Sequence, residues 1–91
     1  VVPEVAFSRR ALASLRSYDD FLRPRNRTTA DGLAAEVKRT CALLAAFPHS
    51  GKFDAQSGLR VHVTRKYRYR IVYGVTERGI EVRDVLHPAQ R

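Results

Sequence analysis

Much that would point to a particular chemistry is missing from this chain of 91 residues. It has one cysteine, Cys41. A single thiol closes no disulfide within the chain and builds no cysteine-based zinc site, which fits a reducing compartment. The three histidines, His49, His62 and His87, do not stand at metal-ligand spacing. No metal and no other cofactor is expected. The longest apolar run, Cys41 to Phe47, falls far short of the ~20 residues of a membrane-spanning helix. The opening VVPEVAFSRR turns charged at once and does not have the form of a secretion signal. The expectation is therefore a cytoplasmic protein. There is no glycine-rich phosphate loop, no nucleophile elbow and no paired-carboxylate motif. Lysine is scarce too, with only Lys38, Lys52 and Lys66.

What is abundant is arginine. Lys and Arg number 17 against 9 for Asp and Glu, giving a net charge of +8 and a pI near 10.6. That excess points to a polyanionic or acidic partner. The planar guanidinium also suits bidentate recognition of phosphate or carboxylate. With 44% hydrophobic and 29% charged residues the composition is that of a folded chain, and the length fits one domain over residues 1–91.

Periodicity gives the element order. Glu4 to Phe7 alternates as a short strand, with Val5 and Phe7 on one side. Ser8 is a good N-cap. Ala11, Leu15, Tyr18 and Leu22 then recur at helical spacing, and Pro24 ends that helix. Thr28 or Thr29 can cap a second helix, whose apolar face is Leu33, Val37, Cys41 and Leu44. Residues 48–58 carry Pro, Ser, Gly and Asp without a period and read as a loop. From Leu59 the period is two. Strands follow over 59–64, 67–76 and from Ile80, with Thr76–Gly79 as a hairpin turn and a bulge at Arg83–Asp84. The expected fold is α+β in the order β-α-α-β-β-β, an antiparallel helical hairpin packed on a small antiparallel sheet.

Alternation predicts that Leu59, Val61, Val63, Tyr69, Ile71, Tyr73, Ile80 and Val82 face the helices. Arg60, His62, Arg68, Arg70, Glu81 and Arg83 then share the open face. Residues 58–91 hold eight cations against three carboxylates, whereas residues 1–57 hold nine against six. The charge is concentrated where the strands aim it. RNA cleavage by 2′-hydroxyl attack needs a base, an acid and cations for the phosphate. His62, His87 and Glu81 can supply the first two, and Arg60, Arg70 and Arg83 the third.

Four stretches occur in order: VAFSRRAL, LLAAFPHSGKF, GLRVHVTRKYRYRIVYGV and IEVRDVLHPAQR. Together they resemble the RelE/ParE toxin superfamily over nearly the whole chain, most closely the ParE-like toxins of type II toxin–antitoxin systems. The resemblance implies a helical hairpin on a small antiparallel sheet. It implies a toxin that inhibits DNA gyrase, stabilising cleaved DNA, without nuclease activity. It also implies neutralisation by a ParD-like antitoxin with a ribbon-helix-helix part and a C-terminal segment that wraps the toxin. The alternative within the superfamily is a RelE-like ribosome-dependent mRNA endoribonuclease, whose site here would draw on His62, Arg70, Arg83 and His87. Contacts to target or antitoxin are expected at Arg60, Arg68, Arg70, Arg83, His87 and Arg91. Asp84 departs from the pattern, because relatives often carry a basic residue just before V-L-H.

Overall fold

A computed structural model describes residues 2–90. Strand β1 (Glu4–Phe7) leads into helix α1 (Arg9–Leu22) and helix α2 (Arg27–Ala46). A 3-10 turn at Pro48–Ser50 is followed by strands β2 (Lys52–Asp54), β3 (Leu59–Val63), β4 (Arg70–Val75) and β5 (Gly79–Leu86). The strands form one sheet in the order β1-β5-β4-β3-β2, with β1 parallel to β5 and the other pairs antiparallel. Both helices cover one side. The α+β class and the helical hairpin on a sheet are as expected, but the sheet is mixed and not wholly antiparallel, because β1 runs parallel to β5. The extra element is β2, inside the segment read as a loop. Its three residues are all exposed, and three residues are too few to show a period.

Capping sets the helix boundaries. Ser8 Oγ accepts from Ala11 N–H at 3.1 Å and donates to Arg83 C=O at 2.8 Å, so one hydroxyl starts α1 and ties it to β5. The cap of α2 is Asn26, whose Oδ1 accepts from Thr29 N–H at 3.0 Å. The threonines fall inside the first turn. Arg23 joins the two helices, reaching Asp19 at 2.8 and 3.0 Å and Asp31 at 2.9 Å.

The core is Leu33, Val37, Cys41 and Leu44 of α2 against Ile71, Tyr73, Ile80, Val82 and Val85 of the sheet, with Ala11 and Tyr69. Burial pushes the Cys41 thiol up to about 11, so it behaves as a small apolar residue. Tyr73 is fully buried. Its hydroxyl donates to Pro48 C=O at 2.8 Å and accepts from Gly51 N–H at 2.9 Å. Gly79 is required for another reason than its turn, because a Cβ there would collide with the backbone of Glu4 on the parallel neighbour.

One expectation is corrected. Arg60 lies opposite Tyr73 and His62 opposite Ile71. Paired residues point to the same side of a sheet, so Arg60 and His62 are on the helix side. Leu59, Val61 and Val63 are on the open side. The cause is the β3–β4 connection. Thr64 N–H donates to Tyr69 C=O at 2.8 Å, and Tyr69 N–H donates to Thr64 Oγ1 at 3.0 Å. That closure fixes the register, and a slip of one residue exchanges the two faces of a strand. Arg68 also leaves the strand, taking φ 64 in the turn, a left-handed conformation that costs a non-glycine residue roughly 1–2 kcal/mol. The bulge falls where expected: Tyr73 is opposite Val82 and Val72 opposite Asp84, leaving Arg83 as the extra residue.

The turn is anchored from α2. Glu36 is buried, and its carboxylate accepts from Lys66 N–H at 2.7 Å and Tyr67 N–H at 3.1 Å. Burial raises its pKa, but those two amides, the Thr64 hydroxyl and the Arg39 charge more than offset this. The net shift is downward. A carboxylate with a depressed folded pKa contributes stability that is present above its unfolded value and lost as pH falls through the folded one. Glu36→Gln is expected to flatten the acid side of the stability–pH curve, measured by urea unfolding over a pH series. Tyr73→Ala is expected to cost about 3–5 kcal/mol. Tyr73→Phe, which removes only the hydroxyl, is expected to cost about 1–3 kcal/mol.

Candidate functional site

Two surfaces can be built from these elements. The first lies on the helix side, between α1, α2 and β1. It is a groove of about 650 Å³. Val5 and Phe7 of β1 form part of its lining. Leu15 and Leu22 line it from α1, and Leu33, Val37 and Cys41 from α2. Arg16, Asp19 and Lys38 are the charged residues that line it. The groove exists because α2 offers small side chains here, Ala30, Ala34 and Ala42, where larger ones would close the space. The sequence reading missed it. The signal was present as alanine recurring at positions 30, 34 and 42 beside the leucine–valine stripe, a spacing that follows the helical period.

The second surface is the open side of the sheet. Register lays it out in rows. Lys52, Val61, Val72 and Asp84 form one row, and Val63, Arg70 and Leu86 another. Leu59, Val72 and Leu86 line a shallow depression with Ser8, Arg10, Arg83 and Asp84. This face is apolar at its centre and mixed in charge around it. Arg83 Nε lies 3.6 Å from Glu81, and Arg10 Nε 4.0 Å from Asp84. Ser14 Oγ also donates to Asp84, at 2.7 Å. Asp84, the departure noted in the sequence, thus ties α1 to the rim of this face.

The expected site residues divide among several places. Arg60, on the helix side, donates from Nη1 to Gly51 C=O at 2.9 Å and His49 C=O at 3.2 Å, and its guanidinium stands 5.2 Å from the Phe53 ring centre. It braces the turn after α2. His62 is half-buried opposite Ile71. Arg68 is on the β3–β4 turn. Arg70 is on the open face and donates from Nη2 to Gln90 C=O, while its Nε is buried with no hydrogen-bond partner among the described residues. Arg83 is exposed at the bulge. His87 follows β5, with its ring edge-on to Tyr69 at 5.2 Å and tilted on Tyr18 at 6.2 Å. Its Nδ1 accepts from Ala89 N–H at 3.0 Å. Arg91 lies outside the described residues.

The tail is fastened around Tyr18. Its hydroxyl donates to Val85 C=O at 2.7 Å and accepts from His87 N–H at 3.2 Å, with Gln90 Oε1 3.0 Å away. Burial holds the Tyr18 and Tyr69 phenols above their ordinary pKa. Neither is suited to proton transfer near neutrality. Among the described residues no group of His, Cys, Asp and Glu side chains could hold a metal ion. No helix among them is long and apolar enough to cross a membrane.

The geometry defines a small α+β domain with an apolar groove on one side of its sheet and a mixed face on the other. The sequence model of one family, described as "ParE toxin of type II toxin-antitoxin system, parDE", matches residues 5–91. The chain belongs to that ParE toxin family. A solved structure described as "Chromosomal ParDE TA system from P. aeruginosa" contains a chain with the same fold. The two align with a TM-score of 0.78 at 15% identity, over 94% of this chain and 96% of that one. A search of curated proteins gave no match.

Arg60→Ala is expected to destabilise the fold by about 1–3 kcal/mol, because two carbonyls lose a charged donor. Arg83→Ala, at an exposed ion pair, is expected to stay within about 0.5 kcal/mol of the parent. Denaturant unfolding of the two variants checks the contrast.

Proposed function

We propose that this ParE-family toxin acts in the bacterial cytoplasm by inhibiting DNA gyrase, and that a ParD-like ribbon-helix-helix antitoxin neutralises it. The groove between α1, α2 and β1 carries the antitoxin half of this reading. An apolar groove of about 650 Å³ that reaches core residues Leu33, Val37 and Cys41 suits an amphipathic segment that orders as it binds. Arg16 and Lys38 beside it favour acidic residues flanking that segment's apolar anchors. Among the described residues the other edge of β1 adjoins no strand, so an extended piece of the partner can also pair there.

The target half is supported by where the titratable groups fall. A nuclease of the alternative kind needs its acid, its base and its phosphate-holding cations around one bond. Here Arg70 and Arg83 are on the open side of the sheet, while His62 and the ring of His87 are on the helix side. The sheet stands between Arg83 and His62, while Arg70 is bonded to the tail at Gln90 C=O. Gyrase inhibition requires a binding surface and no such constellation.

Assays of the purified toxin on gyrase and on translating ribosomes test this. The expected result is impaired supercoiling with accumulation of cleaved DNA, and intact mRNA. Codon-linked mRNA cuts with normal gyrase activity would overturn it. Ala34→Glu places a carboxylate at the exposed lip of the groove. It is expected to weaken antitoxin binding at least tenfold, by calorimetry, while leaving gyrase inhibition in place.

A further inference from the structure

We propose that the turn between β3 and β4 is a rigid contact for the phosphate backbone of duplex DNA. Arg65, Lys66 and Arg68, three of four consecutive residues, project into solvent. Among the described residues none of the three pairs with a carboxylate side chain. Like charges so close repel each other, and yet the turn is held from several directions. Thr64 and Tyr69 close it with two hydrogen bonds, at 2.8 and 3.0 Å. The buried Glu36 carboxylate takes the amides of Lys66 and Tyr67. The Tyr67 side chain packs against α2 at Gly32, where a Cβ would collide with its hydroxyl. Lys66 Nζ lies 5.3 Å from the centre of that same ring. Arg68 occupies a left-handed position, φ 64, that glycine takes without strain. A turn that only joins two strands needs no arginine there. Arg39 of α2, near Glu36, adds a fourth exposed cation at this corner.

The character of the turn selects its ligand. Its exposed side chains are cations, and Tyr67 is turned inward. An acidic protein segment draws affinity from apolar anchors as well as charge; the helix-side groove offers such anchors and this turn does not. Single strands are held by stacking on open aromatic faces, but Lys66 covers the one ring present. A duplex backbone asks only for cations in fixed positions. Each strand of a duplex presents a charge about every 3.4 Å of axis, so long cationic side chains fanning from one turn can reach neighbouring phosphates. The choice of DNA over an RNA duplex rests on the gyrase reading above.

The test is fluorescence anisotropy of a short labelled DNA duplex titrated with the purified chain over a range of salt. The triple variant Arg65→Gln, Lys66→Gln, Arg68→Gly is expected to lower the log–log salt slope by about 2–3 and to weaken binding equally across sequences. Arg68→Gly alone is expected to weaken binding while holding or raising the thermal midpoint, which separates lost contact from lost fold. A control that removes equal charge elsewhere, Arg9→Gln, Arg25→Gln, Arg27→Gln, is expected to bind as the parent does. The proposal falls if the turn variant keeps the parent slope, or if the control loses as much. It also falls if an RNA duplex or a polyglutamate peptide binds the turn more tightly than DNA. DNA binding through the turn by a chain that leaves gyrase untouched would uphold the proposal and sink the gyrase reading.

Discussion

The carboxylate of Glu36 is the contact on which the layout of this domain depends. It is a charged group in the interior, a position that is costly unless its lone pairs are filled. Two main-chain amides fill them, and both belong to the β3–β4 turn. α2 thereby dictates where the hairpin reverses. The reversal point dictates which residues of β3 meet which of β4, and hence which side of the sheet each side chain occupies. Arg60 braces the turn after α2, and Leu59 belongs to the open depression, because the hairpin closes at Thr64 and Tyr69 and not one residue away.

This explains what was legible in the sequence and what was not. The helices were, because Leu33, Val37, Cys41 and Leu44 repeat at an unambiguous period and Ser8 is an unmistakable cap. The bulge at Arg83 was, because two polar residues in succession interrupt an alternation. The face of β3 was not. The pattern within a strand fixes which residues go together, but their side relative to the next strand is set by the connection. The connection here reads as continued strand, since Tyr67 and Tyr69 sustain the alternation through a turn. The second cap was misplaced for a related reason: Asn26, Thr28 and Thr29 are all capable, and only the chain direction after Arg25 decides among them. Of the site, the excess of arginine was visible and its distribution was not. The groove was invisible to any search for large apolar residues, because alanines make it.

The two sides of the sheet are organised on different principles. The helix side leaves apolar core residues accessible at one end, between two helices joined by few contacts other than the Arg23 pairs. It is a surface that gains by being covered. The open side is apolar only at its middle, and its charges are largely turned on one another, Arg83 toward Glu81 and Arg10 toward Asp84. The cations of the β3–β4 turn, which pair with no carboxylate side chain among the described residues, stand apart from both. A chain of +8 thus keeps distinct regions for burial and for charge.

Among the described residues strand β1 has only β5 beside it in the sheet, and residues about 75 positions apart must meet to pair them. During synthesis β1 therefore waits without its partner while the helices and three other strands emerge, for several seconds at roughly 5–20 residues per second. Val5 and Phe7, which line the groove, reach their places only at the end of that interval. A nascent chain therefore cannot present the finished groove until β5 has emerged to hold β1.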